Sequence, residues 1–359
     1  MNKRAVYGLI AAAMFVALPI AQSLAFGTVS KVPILGQDAE HEKITRAALS
    51  MLGPKTLDEL AGVTSSSTEL TGNFGAVGAP DDPARLLLTT DEAHCDNGDY
   101  LDLPPGQIYP QTREAAQQKL VKCRKWMATH IGNAVEYAGQ LAKPDETNTQ
   151  LPCGPFIGRF SASAKCNMIE ELGLTLHASE DFYSHTNWVD QSADGPTSAQ
   201  NPPGLGHTGP APWLDLRHQT TIPEGLISGC FTFLPEAIFC NNSGGPTHTK
   251  HENINKDKGT IIDGIPGLGR TDRGKLNGNF ERAVNAAIAD TRDKWAYFEE
   301  LVRMAHGAEA ETILCAIRSD DYQKCVTPVA EQSVPTRSTE DEAAAHALAE
   351  AREMLSDLQ

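Results

Sequence analysis

Leu174-Thr175-Leu176-His177-Ala178-Ser179-Glu180-Asp181-Phe182-Tyr183-Ser184-His185-Thr186-Asn187-Trp188 combines apolar residues with potential metal donors in one helical repeat. At about 3.6 residues per turn, positions 177, 181 and 185 each advance about 40° around the axis, so their side chains share one face of a helix and its end. Imidazole and carboxylate four residues apart can converge on one or two divalent cations, and Zn2+ accepts such nitrogen and oxygen donors. A lone histidine on a helix is more often packed or solvated than ligating. Three donors on one stripe, flanked by Leu172, Leu176 and Phe182, reverse that balance.

Outward from this stretch, helical periodicity marks residues 38–52, 113–141, 167–183 and 279–308. In the last of these, Phe280, Val284, Ala287, Trp295, Phe298 and Val302 recur at the three- and four-residue spacing of one buried stripe. Strand-like alternation is scarce, so the class expected is all-α, a single helical domain. Gly/Pro/Asn-rich connections at 72–82, 190–212 and 241–269 are of a length that is usually functional, stapled by disulfides or pinned by metal. Residues 327–340 read as a Pro/Ser/Thr/Glu-rich linker to a short terminal helix over 339–358. The expected division is therefore a leader over 1–25, a helical zinc-binding domain over 26–326, and a linker with terminal helix over 327–359. No internal repeat is visible.

Lys3 and Arg4 precede an apolar run over 5–21 that ends in Ser23-Leu24-Ala25, the pattern of a cleaved secretory signal peptide. Cleavage there makes Phe26 the new amino terminus and sends the chain to the periplasm or outside the cell, with no integral membrane segment left. In an oxidising compartment the eight cysteines, none in a Cys-x-x-Cys pair, read as structural disulfides and not as zinc ligands or a redox site. The local pairs 153/166, 230/240 and 315/325 are the natural choices. Loss of Lys3 and Arg4 leaves 28 basic against 46 acidic residues, a net charge of −18. That acidity disfavours a basic nucleic-acid groove, while bound divalent cations would neutralise carboxylates locally.

Other donors recur along the chain: Glu40-His41-Glu42 on the first helix, Asp81-Asp82 after Gly78-Ala-Pro, Glu92-Ala-His94-Cys-Asp96, and His248-Thr-Lys-His251-Glu252. His248 and Glu252 again stand four apart. His130, His207 and His218 read as packing or surface residues. In their order these motifs resemble the zinc-dependent phospholipase C and single-strand nuclease superfamily, most closely its branch related to the heterokaryon-incompatibility C proteins. The resemblance spans residues 26–257, and the short Asp181-Phe-Tyr-Ser-His185 spacing is similar to that branch, whereas the bacterial phospholipases have a longer gap.

The resemblance implies a helical fold of the phospholipase C and nuclease type holding two or three Zn2+ ions. The ligands it implies are the amino terminus of Phe26, then His41, Asp81, His94, His177, Asp181, His185, His248 and Glu252. Asp82, Asp96 and His251 rank second because they spoil the spacing. Glu180 is a candidate for orienting a ligating imidazole. The activity implied is phosphoric-ester hydrolysis by a hydroxide held between zinc ions, with Asp81 orienting or deprotonating the water. The substrate expected is a phospholipid or another phosphodiester, with nucleic acid less favoured. Single-strand nuclease-like cleavage and a non-catalytic, metal-stapled recognition protein are the alternatives. No Gly-x-Ser-x-Gly elbow competes for the nucleophile's role.

Overall fold

Thr112 and Ser163 start the two long helices at the centre of the molecule, each accepting a hydrogen bond from a first-turn amide, those of Ala115 and Cys166. The computed structural model describes residues 26–28, 37–65, 73–82, 87, 90–154, 156, 163–232, 240 and 247–326. The leader over 1–25 and the linker and terminal helix over 327–359 lie outside the described residues. In chain order the helices are α1 (Glu40–Ala48), α2 (Pro54–Ala61), α3 (Gly75–Gly78), α4 (Asp91–His94), α5 (Arg113–Gly139) and α6 (Ala164–His185). They continue with α7 (Asp272–Lys275), α8 (Asn279–His306) and α9 (Ala310–Arg318).

The structure is mostly helical, with α6 at its middle, packed by α5, α8 and α3. Every residue of α6 except Asn167 is buried. A helix covered all round must place its polar residues against partners. The apolar ones, Leu172, Leu176 and Phe182 among them, join Met127 and Ile131 of α5 and Val284 and Phe298 of α8 in the main core. The stripe on α8 is buried throughout, from Phe280 to Val302, and each large apolar side chain so covered contributes about 1.5–3 kcal/mol.

The segment 241–269, expected to be loop, contains the one departure from an all-α class among the described residues. Strands β1 (Gly259–Ile262) and β2 (Ile265–Gly269) pair antiparallel, with Ile262 opposite Ile265. Asp263 and Gly264 form its tip at φ 51° and 77°. Asp-Gly is the dipeptide that a two-residue turn with positive φ at both positions selects, and it was the local cue for a hairpin.

The long connection over 190–212 is held down by polar contacts. Asp190, fully buried, receives Lys256 Nζ at 2.8 Å and Arg273 Nε at 2.9 Å, and the Tyr183 hydroxyl accepts the amide of Ala211 at 2.9 Å. The cysteines pair as 153–166, 230–240 and 315–325, with a fourth bond, 95–123, joining the end of α4 to α5. Among the described residues no helix is long and apolar enough to cross a membrane.

Candidate metal centre

Asp181, on the buried helix α6, is the hub. Its Oδ1 lies 3.1 Å from His41 Nε2 and accepts the backbone nitrogen of Phe26 at 3.3 Å. Its Oδ2 lies 3.0 Å from both His94 Nδ1 and His177 Nε2. One turn on, His185 reaches the same region, with Nε2 3.8 Å from Asp181 Oδ1 and 3.2 Å from Asp257 Oδ1. The helical repeat thus puts His177, Asp181 and His185 on one face, and α1, the turn after α3, α4 and the segment following His251 bring their donors to it.

Each ring is set by a hydrogen bond on its far edge. His177 Nδ1 donates to Val77 O at 2.8 Å, leaving Nε2 as a lone pair. His94 Nε2 faces Leu87 O at 3.3 Å, which leaves Nδ1 turned inward, 2.9 Å from His177 Nε2. His41 Nδ1 faces Glu180 Oε2 at 2.7 Å. Glu180 also accepts from Thr45 and Thr291 at 2.8 and 3.1 Å. His185 Nδ1 donates to His94 O at 2.8 Å, and Asn255 holds the Nδ1 edge of His251 at 3.1 Å, so that Nε2 faces Asp257 Oδ2 at 3.6 Å.

Three sets of donor atoms result, each within 4.8 Å of one another: His41, Asp81 and His177; His94, His177 and Asp181; and Asp96, His185 and His251. Several inward-facing atoms are buried with no hydrogen-bond partner: His41 Nε2, Asp81 Oδ1, Asp96 Oδ1, His185 Nε2 and Asp257 Oδ2. Imidazole nitrogens and carboxylate oxygens gathered in this way form donor sets that a divalent cation can fill, so the residues present fit divalent metal.

The electrostatics agree. Burial works against an ionised Asp181, but the imidazoles of His177, His185 and His41 outweigh it and hold the carboxyl well below its usual range. Burial likewise opposes a charged His41, yet Asp181 and Glu180 lift it to about 10. His185 is raised well above an ordinary imidazole against its burial, by Asp181, Asp96 and Asp257. His177 and His251 are lowered, by burial first and then by the neighbouring imidazoles His41 and His185. The site holds a strong negative field, with the His177 and His251 rings kept neutral beside it.

Of the residues read from sequence, the structure gathers Phe26, His41, Asp81, His94, His177, Asp181 and His185. It does not bring His248 or Glu252 there. Glu252 has a side chain 54% exposed, 3.4 Å from Lys250. His248 Nδ1 bonds Asp99 Oδ2 at 2.7 Å, in a separate cluster. Helical spacing assumed a helix through 248–252, whereas only the single 3-10 turn His251–Asn253 forms there. Asp96 and His251, ranked second in sequence, stand in the centre. Asp257 was not read at all: it follows His251 by six residues, a spacing that neither helix nor strand periodicity flags. Asp82 is half-buried beside the group, outside the three donor sets. No family model, curated protein or solved structure matches this chain.

Proposed function

We propose that this chain is an exported, zinc-dependent phosphoric-ester hydrolase of the phospholipase C type, in the branch related to the heterokaryon-incompatibility C proteins. The observation that supports it is the set of buried, partnerless imidazole and carboxylate atoms around Asp181. Three donor sets are of a kind that holds metal ions, and on this reading they would take two or three Zn2+. His94, His177, Asp81 and Asp181 would hold one, His41 with Asp181 and the backbone nitrogen of Phe26 a second, and His185, His251, Asp96 and Asp257 a third. A chain beginning at Phe26 would present there an amino group, which binds metal once it has lost its proton.

Zinc bound in these positions supplies Lewis acidity and brings the pKa of water towards neutrality. The chain's own residues do the rest. Asp81, 8% exposed, has one oxygen held by Thr28 and the other unpartnered, which suits it to orient a water or take its proton. Glu180 fixes the tautomer of His41, and Val77 that of His177. The acidic chain favours a phospholipid or small phosphodiester over a polyanionic nucleic acid.

A second reading has a specific observation behind it: every donor in the three sets is nearly or fully buried, and closed sites are the structural ones. The same metals would then staple a recognition protein. Metal analysis by mass spectrometry on protein starting at Phe26, with bis-p-nitrophenyl phosphate turnover on the same samples, separates the two. The hydrolase reading expects stoichiometric zinc, and turnover that falls in His177→Ala and Asp181→Ala by more than the roughly 10–100-fold that outer partners cost. Zinc without turnover establishes the stapled scaffold. A folded protein that takes up no metal sinks both.

A further inference from the structure

His248, separate from the centre, belongs to a second cluster of metal-binding residue types. Asp99 is 1% exposed, and its carboxylate is held on all sides: Gln111 Nε2 at 2.7 Å, His248 Nδ1 at 2.7 Å and the Tyr109 hydroxyl at 2.5 Å. Donor atoms of Asp99, His248 and Cys230 lie within 4.8 Å of one another. In the oxidised chain the sulfur of Cys230 is bonded to Cys240 and cannot ligate. Backbone bonds hold Cys230, Cys240 and His248 near one another independently of that bond: Cys230 N donates to Thr249 O at 2.8 Å, and His248 N to Cys240 O at 3.2 Å.

We propose that reduction of the Cys230–Cys240 disulfide opens a separate zinc site, with Cys230, Cys240, His248 and Asp99 as its four ligands. Two sulfurs, one imidazole and one carboxylate make a closed, four-coordinate set for a borderline-soft cation, with no place left for water. The reducing step takes two electrons. With a water-soluble phosphine, disulfide, phosphine and water give two thiols and phosphine oxide; each thiol then loses its proton to solvent as the metal binds. Disulfide and zinc are alternative clamps between Cys230 and Cys240, and zinc would tie Asp99 and His248 to them as well, so the chain carries a clamp there before oxidation as well as after it.

The test uses the whole chain and Co2+ as the probe, with the oxidised and the phosphine-reduced protein titrated side by side without oxygen. Reduction is expected to add one cobalt per chain together with thiolate-to-cobalt charge-transfer absorption. That band should vanish in the Cys230→Ser/Cys240→Ser double variant, and cobalt affinity should fall about tenfold or more in His248→Ala and in Asp99→Asn. A reduced protein without the band overturns the proposal. So does a band that survives the double serine variant, or one whose affinity is indifferent to His248, the result expected if reduction opens the chain and stray thiols bind cobalt.

Discussion

Lys165 shows what burial does to a single charge far from the metal centre. Its ammonium, 1% exposed, donates to Ala316 O at 3.0 Å and Ser319 O at 2.7 Å, capping the end of α9. Burial lowers its pKa to about 8. The unfolded chain therefore holds this proton more tightly than the folded one, and stability rises with pH between the two values. The penalty is present in full below pH 8 and disappears towards the unfolded value near 10.5. Denaturant melts across that window should show the wild type gaining on Lys165→Met as the pH rises; parallel curves would refute it. Residues of this kind were not legible, because a lysine in a helix reads as surface until the chain is folded over it. The stripe of His177, Asp181 and His185 was legible because it is local and helical. Asp257 was not, and Asp96 ranked only second, because their place depends on non-helical backbone returning from a distance.

Among the elements, the contact between α3 and α6 decides how His177 is held. A Cβ on Gly173 would stand 2.4 Å from the backbone carbon of Ala76, too close for any side chain, and backbone cannot give way as a flexible side chain can. That close approach brings Val77 O onto His177 one turn later. Alanine for glycine in an exposed helix normally stabilises by up to about 1 kcal/mol. Here Gly173→Ala should instead destabilise by about 1–3 kcal/mol, the range for overpacking, and weaken zinc binding. Urea unfolding with zinc titration checks this, and a stabilised variant would show that α3 is free to move. The helices over 113–141 and 279–308 were legible within a few residues because their apolar stripes are long and periodic. The hairpin was not, because Gly and Pro in its strands conceal the alternation that identifies a strand, leaving only Asp263-Gly264 as a cue.

At the scale of the whole molecule, the centre joins residues from 26 to 257, and cations bound there would stand in for apolar contacts that those polar residues cannot make. Metal bound only by the folded chain stabilises it by about 4 kcal/mol when free metal is a thousandfold above the dissociation constant. At about 2–4 °C per kcal/mol for chains approaching this size, chelation should lower the midpoint by roughly 8 °C or more, and added zinc should restore it. An unchanged midpoint in calorimetry would mean that the centre is empty in the working protein. The local cysteine pairs were legible from proximity in the chain, whereas the 95–123 bond depends on how α4 docks against α5. Asp181 carries one last consequence. Its two oxygens face different donor sets, the side of Phe26 and His41 and the side of His94 and His177. Metal bound on one side would therefore alter affinity on the other, and thermodynamic reciprocity would make that influence equal in both directions. Loading would then be a coupled process with its own cooperativity, in which the segment at Phe26 and the central helix report on each other through one shared carboxylate.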